Sequence, residues 1–281
     1  MPETPDYDLI RPPDEPTTEP PRERTTGPWA LLTILVAIAV LIGAYYFVRS
    51  RRPPPAPPAA AAEPAPEAPA APLGSNPFPA DVPPLDASDA FVRQWLPRLS
   101  SHPRMAAWLT TDGLIRNFVT VTSNIAEGAT PAGRLRVLKP SAAFQVRPRG
   151  DAVEIDPRSY GRYNDLAAAL ASVDRTATAQ LYATLKPRIE EAHAELGGTG
   201  SFDRTLERAI VVLLETPVRD GPIAVEPHGI GYRYADPRLE GLTAAQRHLL
   251  RMGPANARLV KQSLRELALA LGIPASRLPA Q

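Results

Sequence analysis

Apolar residues recur along this chain in three rhythms, and each predicts a different kind of element. The first is an unbroken run. "WALLTILVAIAVLIGAYYFV", Trp29 to Val48, holds 20 residues without a charge. At about 1.5 Å per residue such a helix reaches about 30 Å, the thickness of a bilayer's hydrocarbon core. Eleven of its residues are Leu, Ile, Val or Phe, each favouring insertion by roughly 0.3–0.6 kcal/mol. Trp29, Tyr45 and Tyr46 lie near the ends, where interfacial aromatics belong. A cleaved signal peptide would show a shorter run behind a basic leader. Here the leader is acidic, and Arg49, Arg51 and Arg52 follow the run. The pattern predicts a retained transmembrane helix.

The second rhythm is helical. Phe91, Val92, Trp95 and Leu96 share a face, and Pro97 closes it. A short helix is expected over Ser101 to Leu109. Leu114, Ile115, Phe118, Thr122, Ile125 and Ala126 follow at helical spacing, with Gly128 as a stop. Asp156-Pro157 opens a helix that turns Tyr160, Tyr163, Leu166, Leu170 and Val173 inward. Asp174 caps the next, which buries Leu181, Tyr182, Leu185, Ile189, Ala192 and Leu196, with a kink expected at Pro187. Ser201 caps another, carrying Leu206, Ile210, Leu213 and Leu214. In the last helix Val260, Leu264, Leu267, Ala268 and Leu271 form the apolar stripe.

The third rhythm is alternation. "FQVRPRGDAVEID" alternates Phe144, Val146, Val153 and Ile155 about an Arg-Gly-Asp turn, which predicts a β-hairpin. A second β piece is expected at Ile223–Val225 and Tyr232–Tyr234. The fold class is therefore mainly α with a small β-hairpin component (α+β), behind one N-terminal transmembrane helix.

Composition divides the chain. Of 35 prolines, 21 precede residue 85. Residues 1–28 are Pro-rich and acidic and are expected to be disordered. Residues 49–85, with "PPPAPPAAAAEPAPEAPAAP" at their centre, have the composition of an extended spacer. Residues 86–273 form the globular domain, and 274–281 a C-terminal tail. The basic residues flanking the apolar run nearly balance and slightly favour a cytoplasmic C-terminus. A long Pro-Ala spacer suits a domain held away from a bacterial inner membrane. We therefore expect a periplasmic C-terminal domain.

Charge removes one class of partner. From Ser75 onward there are 25 Lys and Arg against 21 Asp and Glu, which is not the basic stripe of a nucleic-acid binder. With no cysteine, disulfides, thiolate metal sites and cysteine nucleophiles are excluded. None of the four histidines lies in a His-x-His or His-Glu-x-x-His pattern. Glu190-x-x-His193 has di-iron spacing but lacks the second copy that such bundles need, so it is expected on a solvated helix face. No metal and no cofactor is implied. There is no Gly-x-Ser-x-Gly elbow. The "GGTGS" loop, Gly197 to Ser201, is simplest as a helix stop followed by a cap, although its amides could cradle a phosphate.

"YRYADPRLEGLTAAQRHLLRMGPAN", residues 232–256, concentrates the remaining chemistry. Asp236 caps and Gly241 stops a short turn. Thr243-x-x-Gln246 is a capping box, and Gly253-Pro254 joins two helices. Carboxylate pairs are Asp236 with Glu240, or Asp156 with Asp165. The catalytic candidates are Asp236, Glu240, His248 and Arg251. A polar pocket of Tyr232, Tyr234, Arg251 and Asn256 would suit a sugar, a peptide or an anionic group.

These residues carry a resemblance. Together with "LIRNFVTVTSNIAEG", "RYNDLAAALASVD", "LYATLKPRIEEAHAELG" and "SFDRTLERAIVVLLETP", the 232–256 stretch resembles a bacterial family of single-pass membrane proteins, the domain of unknown function numbered three thousand and fourteen. The likeness runs from about Phe91 to Leu271. Thr122-Ser123-Asn124 departs from the Val-Asp-Asn expected there. The resemblance implies a membrane anchor, and neither an activity nor a cofactor. The expectation is a non-enzymatic binding or scaffolding domain for an envelope protein or polymer. The alternative is a hydrolase-like enzyme acting on an envelope polymer through the carboxylates near Asp236.

Overall fold

The helical spacing yields helices, but several are started by residues far away in sequence. In the computed structural model the described residues are 71–280, apart from 109, 131, 132, 134–138 and 230. The expected tail at 1–28, the transmembrane helix at 29–48 and most of the spacer lie outside the described residues. Within them, no helix is long and apolar enough to cross a membrane.

Helix α1 (Ser88–Trp95) and α2 (Pro103–Trp108) precede α3 (Leu114–Ala126). Asp89 on α1 accepts the amides of Gly113 at 2.7 Å and Leu114 at 2.8 Å, so one helix caps another. After the first hairpin come α4 (Arg158–Gly161), α5 (Asn164–Ala171), α6 (Arg175–Glu195) and α7 (Phe202–Leu214). Asp174 caps α6 by accepting from Ala177, and the helix runs on through Pro187. Ser201 caps α7 by accepting from Asp203. Helices α8 (Pro237–Glu240), α9 (Ala244–Leu250) and α10 (Pro254–Ala270) follow the second hairpin.

The two hairpins, β1 (Val146–Arg149) with β2 (Ala152–Ile155) and β3 (Ala224–His228) with β4 (Gly231–Tyr234), share one antiparallel sheet in the order β1-β2-β3-β4. They join where Val153 faces Val225. Ile155, Val225, Tyr234, Leu239 and Leu250 pack into one apolar cluster, which sets α8 and the end of α9 against the sheet. The main core lies among α1, α3, α6 and α7. Val119 and Phe202 are fully enclosed there. A third cluster, with Ala167, Leu249, Met252, Ala257 and Val260, ties α5, α9 and α10 together. The α+β class stands as expected.

Several boundaries move. The expected linker does not continue to residue 85. Leu73 and Leu85 enter the main core, and Phe78 stacks on Trp95 at 4.4 Å. The amide of Gly74 donates to Leu271 at 2.9 Å, and that of Phe78 to the Thr184 hydroxyl at 2.8 Å. Proline density concealed four apolar anchors, Leu73, Phe78, Val82 and Leu85. The expected tail at 274–281 is likewise docked: Leu278 is buried, and Arg277 pairs with Glu207 at 2.8 Å. Leu170 and Leu196, expected inward, are 39% and 52% exposed. The backbone breaks between α4 and α5, which resets the helical phase before Leu170. Leu196 falls one residue beyond α6.

Candidate functional site

A cleft opens beside the first hairpin, and its chemistry begins with register. The Gly150-Asp151 turn places Arg147 directly opposite Glu154 and Arg149 on the diagonal. Glu154 is only 3% exposed. Its carboxylate accepts from Arg147 Nε at 2.7 Å and from Arg149 Nη1 at 3.0 Å. Burial alone would push its pKa up, but the two guanidiniums outweigh that and hold it below the ordinary carboxylate range. Asp156, at the end of β2, accepts from the amide of Arg158 at 2.9 Å and from the same residue's guanidinium at 2.6 Å. These bonds hold its pKa low as well.

The opposite wall is Tyr160 and Pro254. The cleft measures about 700 Å³, and Asp220 and Pro222 close one end. Four prolines, 148, 157, 222 and 254, line it; each fixes its φ, so the rim is stiff before anything binds. Asp220 is paired with Arg258 across that end. Burial, with help from Glu154, raises the pKa of Tyr160 and keeps its phenol protonated. The donors left over are Arg147 Nη1, Arg149 Nε and Nη2, and the Tyr160 hydroxyl, which have no partner among the described residues. The cleft therefore offers several N–H and O–H groups. Neither its clamped carboxylate nor its protonated phenol titrates near neutrality.

The 232–256 stretch builds the back of this wall instead of converging into a pocket of its own. Gly253 sits at φ +84°, and a Cβ there would lie 2.3 Å from the Tyr160 ring. Only glycine suits both the backbone and the contact. Asn256 is buried, and its amide nitrogen lies 3.0 Å from each of the Tyr160 carbonyl, the Asn164 side chain and the Met252 carbonyl. Arg251 donates to the Tyr232 carbonyl at 2.6 Å and lies over the Tyr234 ring at 5.4 Å. Tyr234 is buried, donates to the Arg247 carbonyl at 3.1 Å, and has its pKa pushed up by burial to about 12.

The catalytic candidates are placed as follows. Asp236 accepts from the amide of Arg238 at 2.8 Å, capping α8. Glu240 accepts from the amide of Tyr234 at 2.9 Å and lies 3.5 Å from Arg247. His248 is on the exposed side of α9. Partial loss of hydration lowers its pKa, and Arg251 and Arg247 add to that. No carboxylate pairs with it among the described residues. Asp156 is held by Arg158, and Asp165 is exposed on α5. Among the described residues, no three His, Asp or Glu side chains gather closely enough to share a metal ion.

Sequence reasoning missed Glu154, Arg147, Arg149 and Tyr160 as neighbours. The Arg-Gly-Asp turn held the signal for the first three, because counting outward from it pairs 147 with 154. It also placed Glu190-x-x-His193 on a solvated face. Instead, Glu190 accepts from the Phe202 amide at 3.0 Å and His193 is 6% exposed.

Residues 114–268 match a family model described as "Protein of unknown function (DUF3014)". Neither a curated protein nor a solved structure matches the chain.

Proposed function

The chain belongs to the DUF3014 family, and from that premise and the cleft's chemistry we propose that it is a membrane-tethered binding protein of the bacterial envelope. Its anchor is the apolar run at 29–48, and its domain works on the periplasmic side. The hairpin cleft docks an acceptor-rich segment, such as a carboxylate-bearing stretch of an envelope protein or polymer. One observation carries this reading. Glu154 is clamped between Arg147 and Arg149, so that their remaining N–H groups face a proline-stiffened groove beside the free Tyr160 hydroxyl. Guanidinium forks of this kind favour carboxylate and phosphate oxygens.

The hydrolase-like alternative has less support. Asp236 and Glu240 both accept backbone amides as helix and strand ends, and neither lines the cleft.

The test is photo-crosslinking of the full chain in cells, with the reactive side chain placed at Arg149 or at Arg233. Arg233 is an exposed arginine on edge strand β4, paired with Glu226. We expect a discrete adduct from position 149 and none from position 233. Identical patterns from the two positions would remove the cleft from the argument.

A further inference from the structure

A second cavity, of about 390 Å³, lies where α6 ends and α7 begins, lined by His193, the Gly197–Ser201 loop, Ser123, Glu127, Arg204, Thr205 and Arg208. Its most informative residue is His193. The ring is 6% exposed, and neither nitrogen has a hydrogen-bond partner. Phe202 packs against the ring edge-on at 5.4 Å. The Gly197–Ser201 loop lies over the face of the ring: a Cβ on Gly198 would lie 2.1 Å from Cε1, 2.3 Å from Nδ1 and 2.4 Å from Nε2. An imidazole carries at least one N–H in any protonation state, and leaving such a buried donor unpaired costs about 1–3 kcal/mol. So uncompensated a group calls for a partner from outside the chain.

The nearest internal candidate is already engaged. Glu190, one turn earlier on α6, accepts from the Ser201 hydroxyl at 2.8 Å and from the Phe202 amide. Its carboxylate therefore occupies the first amide of α7, the Ser201 hydroxyl takes the second, and an incoming group must be held by side chains. Arg204 and Arg208 lie four residues apart on the exposed face of α7 and have no carboxylate partner among the described residues. Twelve other arginines among the described residues, such as Arg116 and Arg258, do form such pairs. Two free guanidiniums and an imidazole face one carboxylate, Glu127, and the hydroxyls of Ser123, Thr199 and Thr205 supply further hydrogen bonds.

We propose that this cavity binds a phosphate-type oxyanion, held by Arg204, Arg208 and His193. The volume leaves room for whatever the phosphoryl group is attached to. Gly198 covers the ring, so engagement moves the 197–201 loop off His193. Gly197 and Gly200, both at positive φ, flank the part that moves.

The full chain in maltoside micelles, labelled with 15N-histidine, is titrated with inorganic phosphate at matched ionic strength. In a second arm the micelles are doped with phosphatidylglycerol. We expect a saturable shift of the His193 ring nitrogens. A shift with free phosphate assigns a soluble phosphate. A shift only with phosphatidylglycerol assigns a lipid headgroup bearing the same oxyanion. The Arg204→Gln/Arg208→Gln double variant changes only exposed side chains, and should weaken binding at least about tenfold. No His193 response in either arm overturns the site, as does a response that the double variant leaves unchanged.

Discussion

Glu154 sits between Val153 and Ile155 in a strand whose alternation turns it towards solvent, yet it is buried like Ile155 and more enclosed than the half-buried Val153. Alternation records which face of a strand a residue occupies. It does not record that two arginines will fold over that face and exclude water. For the same reason Asn256 and Gly253 were legible as members of a dense motif but not as supports of Tyr160, which is 96 residues from Asn256. Glu154 makes a pH prediction with a definite sign. Its folded pKa lies below the unfolded value of about 4.3. The ionised form therefore favours the folded state, and that contribution is complete above about pH 4.3 and lost as pH falls through the folded value. Asp156 and Asp220, also lowered by arginines, act in the same direction. The thermal midpoint should drop as pH is lowered from about 5 to about 3. Glu154→Gln should start from a lower midpoint at neutral pH and lose less on acidification. Parallel curves for the two proteins would show that the clamp contributes nothing to folding.

At the scale of elements, helices were the most legible because their signals are local. The capping box is present as expected, with Thr243 accepting from Gln246 and Gln246 from Thr243. Asp174 and Asp236 cap where the sequence places them. The two Asp-Pro-Arg turns share one geometry, each aspartate accepting from the arginine amide two residues on. What local signals could not give is the clasp on the segment before α1. Asp203 on α7 accepts from the Leu73 amide at 3.0 Å and from the Tyr182 hydroxyl at 2.6 Å, and it pairs with Lys186. Arg188 holds the same segment further along, donating to the Pro83 carbonyl at 2.7 Å. Asp203→Ala should destabilise the domain by about 1–3 kcal/mol, because it strands the Tyr182 hydroxyl. In a chain of residues 71–281 it should also make residues 74–84 the first site of limited proteolysis. Equal protection of that segment in variant and parent would remove the clasp from the fold's energetics.

At the scale of the molecule, the two ends of the domain meet near the start of α7. Asp203 holds Leu73, Glu207 holds Arg277, and the amide of Gly74 donates to Leu271. The segment that follows the proposed anchor is thus built into the core it would tether. Any pull along it falls on packed leucines and a charged clasp, and a free linker would take none of it. Magnitudes decide how much this matters. Leu73, Leu85 and Leu278 are each more than nine-tenths buried, and at about 1.5–3 kcal/mol apiece they contribute roughly 5–9 kcal/mol. A whole domain is stable by only about 5–15 kcal/mol. A chain cut to 86–273, the boundaries that composition predicts, loses all three leucines and should be unfolded or molten. A chain of residues 71–281 keeps them and should melt cooperatively in calorimetry. If the shorter chain melts as sharply and as high as the longer one, the flanking segments are passengers, and the proposed tether is attached to nothing that bears load.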